Sequence, residues 1–372
     1  MKIAMIGHKR IPSREGGVEI VVEELAKRMV SRGHEVYAYN RGSHHVAGAE
    51  NDVPVTEEYE GVHIITVPTP ESKSLNAIVY SVKATLRAVF GKYDVIHFHA
   101  EGPCSMIWLP RLLKIRTVAT IHGLDWKRGK WGGFASKFLK FGEKTAARFA
   151  DEIIVLSRDV QSYFKQVYGR TVNFIPNGVE IPKIKEADII KSKYGLEKGS
   201  YILFLARLVP EKGAHYLLEA FRKIDTDKKL VIAGGVSHSS EYGEKLKELA
   251  GKDNRVIMTG FVQGEELCEL YSNCYLYVLP SDIEGMAISL LEAMSYGCAC
   301  LTSDIEENKS VIGNFGYTFK KSDVNDLRDK LAELINNGAD IDKEAMIKHM
   351  QENHSWDKAV NETLEIYERD KK

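Results

Sequence analysis

The sequence predicts an α/β protein made of two doubly wound domains, each built on a parallel sheet, and three observations lead to this prediction. Its 372 residues suffice for two domains at roughly 150 residues each. Short apolar runs such as Ile3–Ile6 and Val95–Phe98 alternate with helical stretches such as 17–32, which is typical of parallel strands buried on both faces. The same alternation starts again at Ile202–Leu205. Each half is therefore predicted to be a Rossmann-like domain.

A polar connector separates the two series of strands. It covers Asn177–Lys185 and contains glycine and proline, which favour turns over helices or strands. We predict an N-terminal domain over 1–178 and a C-terminal domain over 179–354. The last segment, 355–372, is amphipathic, so we expect a helix there that packs back on the N-terminal domain.

The composition is that of an ordinary globular protein, with 44% hydrophobic and 28% charged residues. No apolar run approaches the about 18 residues of a membrane helix, and the opening MKIAMIG leads straight into a strand pattern, so we expect no signal peptide. The five cysteines have no zinc-like set of partners, which favours reduced thiols and a cytoplasmic location.

The net charge is −1, but the charged residues are distributed unevenly between the two halves of the chain. Residues 1–180 contain 25 Lys and Arg against 19 Asp and Glu, whereas the remainder contains 26 against 33. A basic first half predicts that this half faces an anionic partner.

Three short motifs contain the candidate functional residues, and the first lies near the N-terminus. The strand that ends at Gly7 leads through the loop HKRIPSRE to Gly16 and Gly17, which open a helix. Glycines at such a turn let a ligand approach the backbone, and a helix start favours anions. Taken alone, the glycine pair fits a tight turn without a ligand equally well.

The second motif, ARLVPEKG, follows a strand of the C-terminal half. Arg207 and Lys212 flank a turn in it. A guanidinium fork and an ammonium group suit the oxygens of one phosphate. The alternative is a solvated basic loop.

The third motif, EGMAISLLEAM, contains Glu284 and Glu292 with seven residues between them. We expect Gly285, Met286 and Ala287 to begin a helix, with Glu292 two turns further on near the same face as Glu284. A helix start offers N–H groups to a phosphate, and carboxylates accept hydrogen bonds from sugar hydroxyls. The alternative is a capping carboxylate followed by an exposed helix glutamate.

Together the three motifs resemble those of the family-4 retaining glycosyltransferases, whose GT-B fold has two Rossmann-like domains facing across a cleft. The resemblance covers essentially the whole chain and includes TIHG at 120–123, IPNGV at 175–179 and TGFV at 259–262. The opening IGHKRIPSREGGVE is similar to a narrower group, the rhamnosyltransferases of bacterial capsule and polysaccharide assembly.

The resemblance implies catalytic and donor-binding roles for particular side chains. The implied catalytic residues are His122, Glu284, Arg207 and Lys212. The implied donor-binding residues are Gly16, Gly17, Asn177, Val262, Gly285, Met286, Ala287 and Glu292. In this scheme the C-terminal domain binds the nucleotide sugar and the N-terminal domain lies on the acceptor side.

Within that scheme, Arg207 and Lys212 would neutralise the donor diphosphate, helped by the amides of Met286 and Ala287. Glu284 would hold the transferred sugar, Glu292 the ribose hydroxyls, and the backbone around Phe261 and Val262 the base. His122 would stabilise the positive charge that develops on the sugar, and His97 and His99 would line the acceptor pocket. A lone histidine is more often a satisfied core residue, but the residues that flank His122 match the family.

The resemblance also implies a retaining mechanism with neither a protein nucleophile nor a metal. The acceptor hydroxyl would attack an oxocarbenium-like centre from the side on which the diphosphate leaves, so positioning and electrostatics supply the catalysis. We expect no cofactor and no metal. A D-x-D sequence, Asp225–Asp227, is better interpreted as a polar turn.

Residues 126–144 combine six basic residues with interleaved aromatics, a composition that suits an anionic membrane surface. A solvated amphipathic helix is the alternative. No nucleic-acid-binding motif accompanies the segment, so we expect no nucleic-acid partner.

The predicted function is therefore the transfer of a sugar from a nucleotide diphosphate to a lipid-diphosphate-linked saccharide at the inner face of the cell membrane. The narrower resemblance implies dTDP-rhamnose as donor. A UDP- or GDP-hexose donor, a nucleotide-sugar 2-epimerase and a non-catalytic binding protein remain as alternatives, because a fold hosts several functions.

Overall fold

The computed structural model describes residues 1–42, 57–71, 73–127, 133–235 and 240–369. The chain divides into two compact units. Unit 1 comprises Met1–Asn177 and Trp356–Lys372, and unit 2 comprises Gly178–Ser355. Both divisions fall within one residue of the boundaries expected from the sequence.

Unit 1 is built on a sheet whose strands are β1 Lys2–Ile6, β2 Glu35–Arg41, β3 Glu58–Tyr59, β4 Val62–Val67, β5 Val95–His99, β6 Arg116–Ile121, β7 Glu152–Val155 and β8 Asn173–Phe174. Its helices are α1 Gly17–Ser31, α2 Lys73–Val89, α3 Trp108–Leu112, α4 Gly133–Phe149 and α5 Arg158–Tyr168, together with α14 Trp356–Glu368 from the end of the chain. The strand order is β3-β4-β2-β1-β5-β6-β7-β8. Only β3 pairs antiparallel among these described strands.

Helices cover both faces of this sheet. α1 connects β1 to β2, whereas α2, α3 and α4 make connections that run the opposite way across the sheet. Because parallel crossovers are right-handed, α1 lies on one face and α2, α3 and α4 lie on the other. The central strands β5 and β6 are correspondingly buried along their whole length.

α14 returns to unit 1 and covers the face that carries α1. Arg32, which directly follows α1, bonds Asp357 at 2.6 Å, and the buried Arg116 donates to the carbonyl of Ile366 at 2.6 Å. Tyr367 bonds the ring of His97 on β5 at 2.5 Å. The helix expected over 355–372 therefore forms and packs on the N-terminal unit.

Unit 2 has a sheet of β9 Tyr201–Leu205, β10 Lys229–Ala233, β11 Val256–Gly260, β12 Leu276–Leu279, β13 Cys300–Ser303 and β14 Tyr317–Phe319. Its helices are α6 Ile189–Tyr194, α7 Ala214–Phe221, α8 Ser240–Ala250, α9 Gly264–Asn273, α10 Ile288–Ser295, α11 Glu306–Ile312, α12 Val324–Asn337 and α13 Lys343–Asn353. The strands are all parallel, in the order β11-β10-β9-β12-β13-β14. A core of apolar side chains, among them Phe204, Leu217 and Ile232, fills the space beneath the helices.

Each sheet has one point at which the strand order reverses. In unit 1 the reversal lies between β1 and β5, and in unit 2 it lies between β9 and β12. Ligands of open α/β sheets bind at the carboxyl ends of the strands at such points. The residues that follow these four strands are therefore the candidates for function.

Candidate functional site

In unit 2, the point between β9 and β12 at which the strand order reverses brings together a lysine and a glutamate. They come from the loops that follow these two strands. Lys212 follows β9 in a short 3₁₀ turn, and Glu284 lies in the loop after β12. The Lys212 Nζ stands 2.5 Å from Oε1 and 2.7 Å from Oε2 of Glu284. The side chains are only 15% and 5% exposed. Sequence analysis predicted both residues, but it did not predict that they form an ion pair with each other.

Gly213 allows this close approach. Its φ is +71°, and a Cβ at this position would lie 2.0 Å from the carbonyl oxygen of Pro280. Only glycine combines that φ with so close a backbone contact. The loop after β9 therefore lies directly against the loop after β12, which carries Glu284.

Arg207 lies between β9 and the turn that holds Lys212, and its side chain is half-buried. Within the described ranges, no side chain or carbonyl bonds its guanidinium. The two cations of the predicted pair therefore differ, because Lys212 already has an anionic partner in the protein.

Glu292 lies on α10 and is positioned by a tyrosine from α9. The Tyr271 hydroxyl donates to Oε2 of Glu292 at 3.0 Å and lies 3.2 Å from the carbonyl of Ser289. Burial, followed by the nearby Glu292 carboxylate, raises the pKa of Tyr271 well above its ordinary value. The phenol therefore stays protonated and can serve as a donor to Glu292.

The helix of the third motif begins later than predicted. α10 starts at Ile288, because Ala287 is extended, with φ −73° and ψ 110°. Gly285 and Met286 therefore belong to the loop, and Glu284 is not on the helix face that carries Glu292. No side chain of a described residue caps this helix, so its first N–H groups point towards the end of the loop that holds Glu284.

The remaining predicted donor residues lie further from this pair in the chain. Val262 is buried in the loop between β11 and α9. Asn177 is buried as well and is the last residue of the first segment of unit 1.

In unit 1, the first turn of α1 already holds a carboxylate. Oε1 of the buried Glu19 accepts the backbone N–H of Lys9 at 2.8 Å, and a Cβ on Gly16 would lie 2.1 Å from Oε2 of Glu19. Burial alone would raise the pKa of Glu19, but the charge and backbone N–H of Lys9 outweigh burial and lower it. Gly16 and Gly17 thus lie at the helix start as predicted, where Gly16 makes room for an anionic side chain of the protein itself.

Three buried histidines occupy the carboxyl ends of neighbouring strands in unit 1. His8 follows β1, His99 ends β5 and His122 follows β6. The His99 Nδ1 and the His122 Nε2 are 3.1 Å apart. Burial lowers the pKa of His8 to about 4 and that of His99 well below its ordinary value. Both rings are therefore neutral, and they are suited to hydrogen bonding rather than to holding charge.

His97 has a different role from the acceptor-side role implied by the sequence. It is fully buried, and its two ring nitrogens bond Tyr367 at 2.5 Å and Thr120 at 2.7 Å. Burial is the main cause that lowers its pKa to about 3. Because both nitrogens are used inside the fold, we no longer place His97 in a ligand pocket.

The segment 126–144 is used partly inside unit 1. The Trp126 indole donates to Glu143 at 2.7 Å, and Lys140 bonds the same carboxylate at 2.8 Å while standing 4.1 Å from the Trp126 ring centroid. These two residues therefore stabilise the fold, which differs from their predicted membrane role. The expected contributions of 128–132 lie outside the described residues.

Sequence reasoning missed Tyr271 and His8. Tyr271 gives no signal, because its contact with Glu292 joins two helices that only the tertiary fold brings together. His8 does offer a signal, since it follows Gly7 directly after the first strand, where polar side chains often meet a ligand.

Replacing Tyr271 with Phe is expected to reduce donor affinity several-fold with little loss of stability, because a neutral hydrogen bond contributes about 1 kcal/mol. Isothermal titration with nucleotide, compared between wild type and Tyr271→Phe, measures this. Tyr201→Phe removes another buried hydroxyl, which bonds the carbonyl of Leu270 at 2.7 Å, and serves as the control. Equal affinities for both variants would exclude a role of Tyr271 in positioning Glu292.

Within the ranges given above, no three His, Cys, Asp or Glu side chains are grouped so as to hold a metal ion. No described helix has the length and apolar character required to cross a membrane.

The sequence matches two families of known proteins, one in each unit. Residues 15–182 match Glycosyltransferase Family 4, and residues 186–353 match Glycosyl transferases group 1. An uncharacterized glycosyltransferase of Methanocaldococcus jannaschii is 27% identical, and the match covers 99% of this chain and 98% of that protein. The UDP-Gal:alpha-D-GlcNAc-diphosphoundecaprenol alpha-1,3-galactosyltransferase of Escherichia coli is 26% identical over 65% of this chain and 66% of its own length.

The fold is also similar to solved structures. An Anabaena protein, HepE, solved with UDP and glucose, superposes with a TM-score of 0.80 at 17% identity, covering 98% of this chain and 99% of that one. The prediction of two Rossmann-like domains in the GT-B fold is thereby confirmed.

Proposed function

Because the chain belongs to the glycosyltransferases, with both of its units matched by their families, we propose that it transfers rhamnose from dTDP-rhamnose to a lipid-diphosphate-linked saccharide in surface polysaccharide synthesis. The observation that carries the donor site is the Lys212–Glu284 pair, which lies beside the uncapped start of α10 at the strand reversal of unit 2.

In this proposal, the donor diphosphate binds where positive charge and the start of a helix meet. Arg207 has a guanidinium that can form two parallel hydrogen bonds to phosphate oxygens. The start of α10 adds amide donors and the positive end of the helix dipole. Lys212 shares its ammonium between the diphosphate and Glu284, and Glu284 in turn accepts a hydroxyl of the transferred sugar.

The rest of the donor is held further along α10. Glu292, positioned by Tyr271, accepts the ribose or deoxyribose hydroxyls. The backbone around Val262 binds the base. Rhamnose lacks one hydroxyl, so the pocket needs an apolar surface, which Met286 or Ile288 beside Glu284 can supply.

We propose a retaining reaction that depends on the residues of the chain for its electrostatics. The diphosphate departs, a phosphate oxygen accepts the proton of the attacking hydroxyl, and the acceptor bonds the sugar on the same face. In unit 1, His122 lies 3.1 Å from the neutral ring of His99, and the two rings offer hydrogen-bonding groups near the oxocarbenium-like centre. Arg207, Lys212 and the helix amides take the place of a metal.

A hexose donor is the second candidate, and two names of similar proteins favour it. The Escherichia coli relative is named for UDP-Gal and for a lipid-diphosphate acceptor, and the Anabaena structure holds UDP and glucose. The loop Gly7–Glu19 is the feature that favours rhamnose instead. A lipid-diphosphate acceptor is common to both candidates and places the enzyme at the inner face of the membrane.

A donor panel tests the proposal. Purified protein is incubated with dTDP-rhamnose, UDP-glucose, UDP-galactose or GDP-mannose and a synthetic lipid-diphosphate sugar, with and without a chelator. We expect transfer from dTDP-rhamnose, a product with the same anomeric configuration as the donor, and equal rates with and without the chelator. Preference for a UDP- or GDP-linked hexose would refute the rhamnose assignment. An epimerised donor without any transfer would refute transferase activity. If the chelator abolishes transfer and added Mg²⁺ or Mn²⁺ restores it, the metal-free mechanism is wrong.

A further inference from the structure

One face of unit 1 combines exposed apolar side chains with positive charge. Six of the nine exposed large apolar residues of the described chain lie in or directly after α2 and α3 or on α4: Leu75, Leu86, Phe90, Leu112, Leu113 and Phe141. Phe90, Leu112 and Phe141 are 83%, 67% and 55% exposed. Since α2, α3 and α4 lie on the same side of the sheet, these side chains belong to one surface, which we call the α2–α4 face.

The exposed positions recur at helical spacing. On α4, Lys137, Phe141, Lys144 and Arg148 are exposed, and they follow one another at intervals of three or four residues. Such spacing places them on a single stripe along the helix. On α2 the same intervals connect Lys83 with Leu86, Arg87 and Phe90. Each helix therefore presents a mixed basic and apolar stripe to solvent.

Acidic side chains are almost excluded from this face. α2 and α3 contain none, and α4 contains only Glu143, which is fully buried against Trp126 and Lys140. The exposed acids Glu71 and Asp94 lie in the chain beyond the two ends of α2. A surface helix of a globular protein ordinarily mixes both charges, so this one-sided distribution selects an anionic partner.

The apolar component decides which anionic partner fits. The phosphates of a nucleic acid would contact only the basic residues. The apolar side chains would then stay exposed to water, namely Phe90, Leu112, Leu113 and Phe141. At a bilayer interface, basic side chains contact the anionic headgroups while aromatic and leucine side chains enter the boundary with the acyl chains. Both components of the face are then used.

We propose that the α2–α4 face docks unit 1 on the anionic surface of a lipid bilayer. This surface shares Lys137, Phe141 and Lys144 with the segment 126–144 suggested by composition, but it does not include Trp126 and Lys140, which are occupied within the fold. None of its residues is among those proposed for the donor site, and it does not depend on which sugar is transferred.

Flotation with vesicles of phosphatidylglycerol and phosphatidylcholine tests the proposal. We expect the wild type to float with these vesicles, less so at high salt, and not with phosphatidylcholine alone. The quadruple variant Lys83→Gln, Arg87→Gln, Lys144→Gln and Arg148→Gln should bind on the order of several hundredfold more weakly, since each basic residue near the surface contributes about fivefold. The double variant Phe90→Ser and Leu112→Ser should bind at least tenfold more weakly, because serine does not gain the free energy of burying an apolar side chain at the interface.

Matched variants in unit 2 provide the controls. Lys191→Gln, Lys247→Gln, Lys252→Gln and Lys348→Gln remove the same charge from exposed sites, and Ile181→Ser with Ile184→Ser removes exposed apolar groups. Both should float as the wild type does. Transfer to a water-soluble acceptor should be the same in all variants, which separates this proposal from that of the donor site.

Three results would overturn the proposal. The first is that the wild type does not float with the anionic vesicles. The second is that the test variants and the control variants lose binding equally. Alternatively, light scattering shows a dimer that Phe90→Ser and Leu112→Ser dissociate, in which case the face joins two copies of this chain.

Discussion

Replacement of Lys212 with Met is expected both to weaken the donor complex and to destabilise unit 2. The ammonium contributes charge-assisted hydrogen bonds worth about 1.5–3 kcal/mol each, so donor affinity should fall by roughly one to two orders of magnitude. The same change leaves Glu284 buried without its cation, and breaking a buried pair costs about 3–5 kcal/mol. Donor affinity by calorimetry and melting temperature by circular dichroism measure the two effects separately.

The double variant Lys212→Met with Glu284→Met distinguishes these effects. Apolar residues of similar volume often replace a buried ion pair without loss, so the melting temperature should recover most of the way. Donor binding and transfer should remain lost. If transfer recovers together with stability, Lys212 is a structural residue and the proposed donor site is wrong.

Gly213→Ala is expected to have the second large effect. A residue with a Cβ at φ +71° costs about 1–2 kcal/mol, and the overlap with the Pro280 carbonyl forces the two loops apart at a further cost of about 1–3 kcal/mol. Because the Pro280 loop leads to Glu284, a displacement of about 1 Å should lower transfer on the order of a hundredfold. Melting temperature and turnover measure both effects.

Gly199→Ala is the matched control. Gly199 has φ +73°, but a Cβ there would meet nothing within 4 Å. The stability of the Gly199→Ala variant should fall only by the cost of placing a residue with a Cβ at a positive φ. Its turnover should stay near that of the wild type. Similar turnover in both variants would show that the approach of the two loops does not position the site.

The fold could be predicted because its signals are local. Apolar runs such as Ile202–Leu205 and the polar connector between the units mark parallel strands and a domain boundary without knowledge of tertiary contacts. The ends of elements are weaker signals. α10 starts at Ile288 and not within Gly285–Ala287 as expected, because Ala287 is extended and its conformation depends on the surrounding loop.

The candidate site was predicted as a set of residues and not as a set of contacts. Sequence spacing indicated Arg207, Lys212 and Glu284 through their chemistry. It could not indicate that Lys212 pairs with Glu284, or that Glu19 occupies the start of α1. Both depend on distances across the fold. His97 shows the opposite error, since a polar side chain near a strand end was interpreted as functional although Tyr367 of α14 and Thr120 of β6 bond its two nitrogens.

The packing of α14 on unit 1 also has a consequence for the order of events during synthesis. On the ribosome, residues 356–368 emerge only after all of unit 2, although Tyr367 and the carbonyl of Ile366 complete contacts with His97 and Arg116. The nascent sheet of unit 1 therefore lacks the α14 contacts of His97 and Arg116 while almost 180 residues of unit 2 are translated. Translation adds about 5–20 residues per second. Unit 2 is contiguous in the chain and can fold first, so the half of the protein made earlier is the half that matures last.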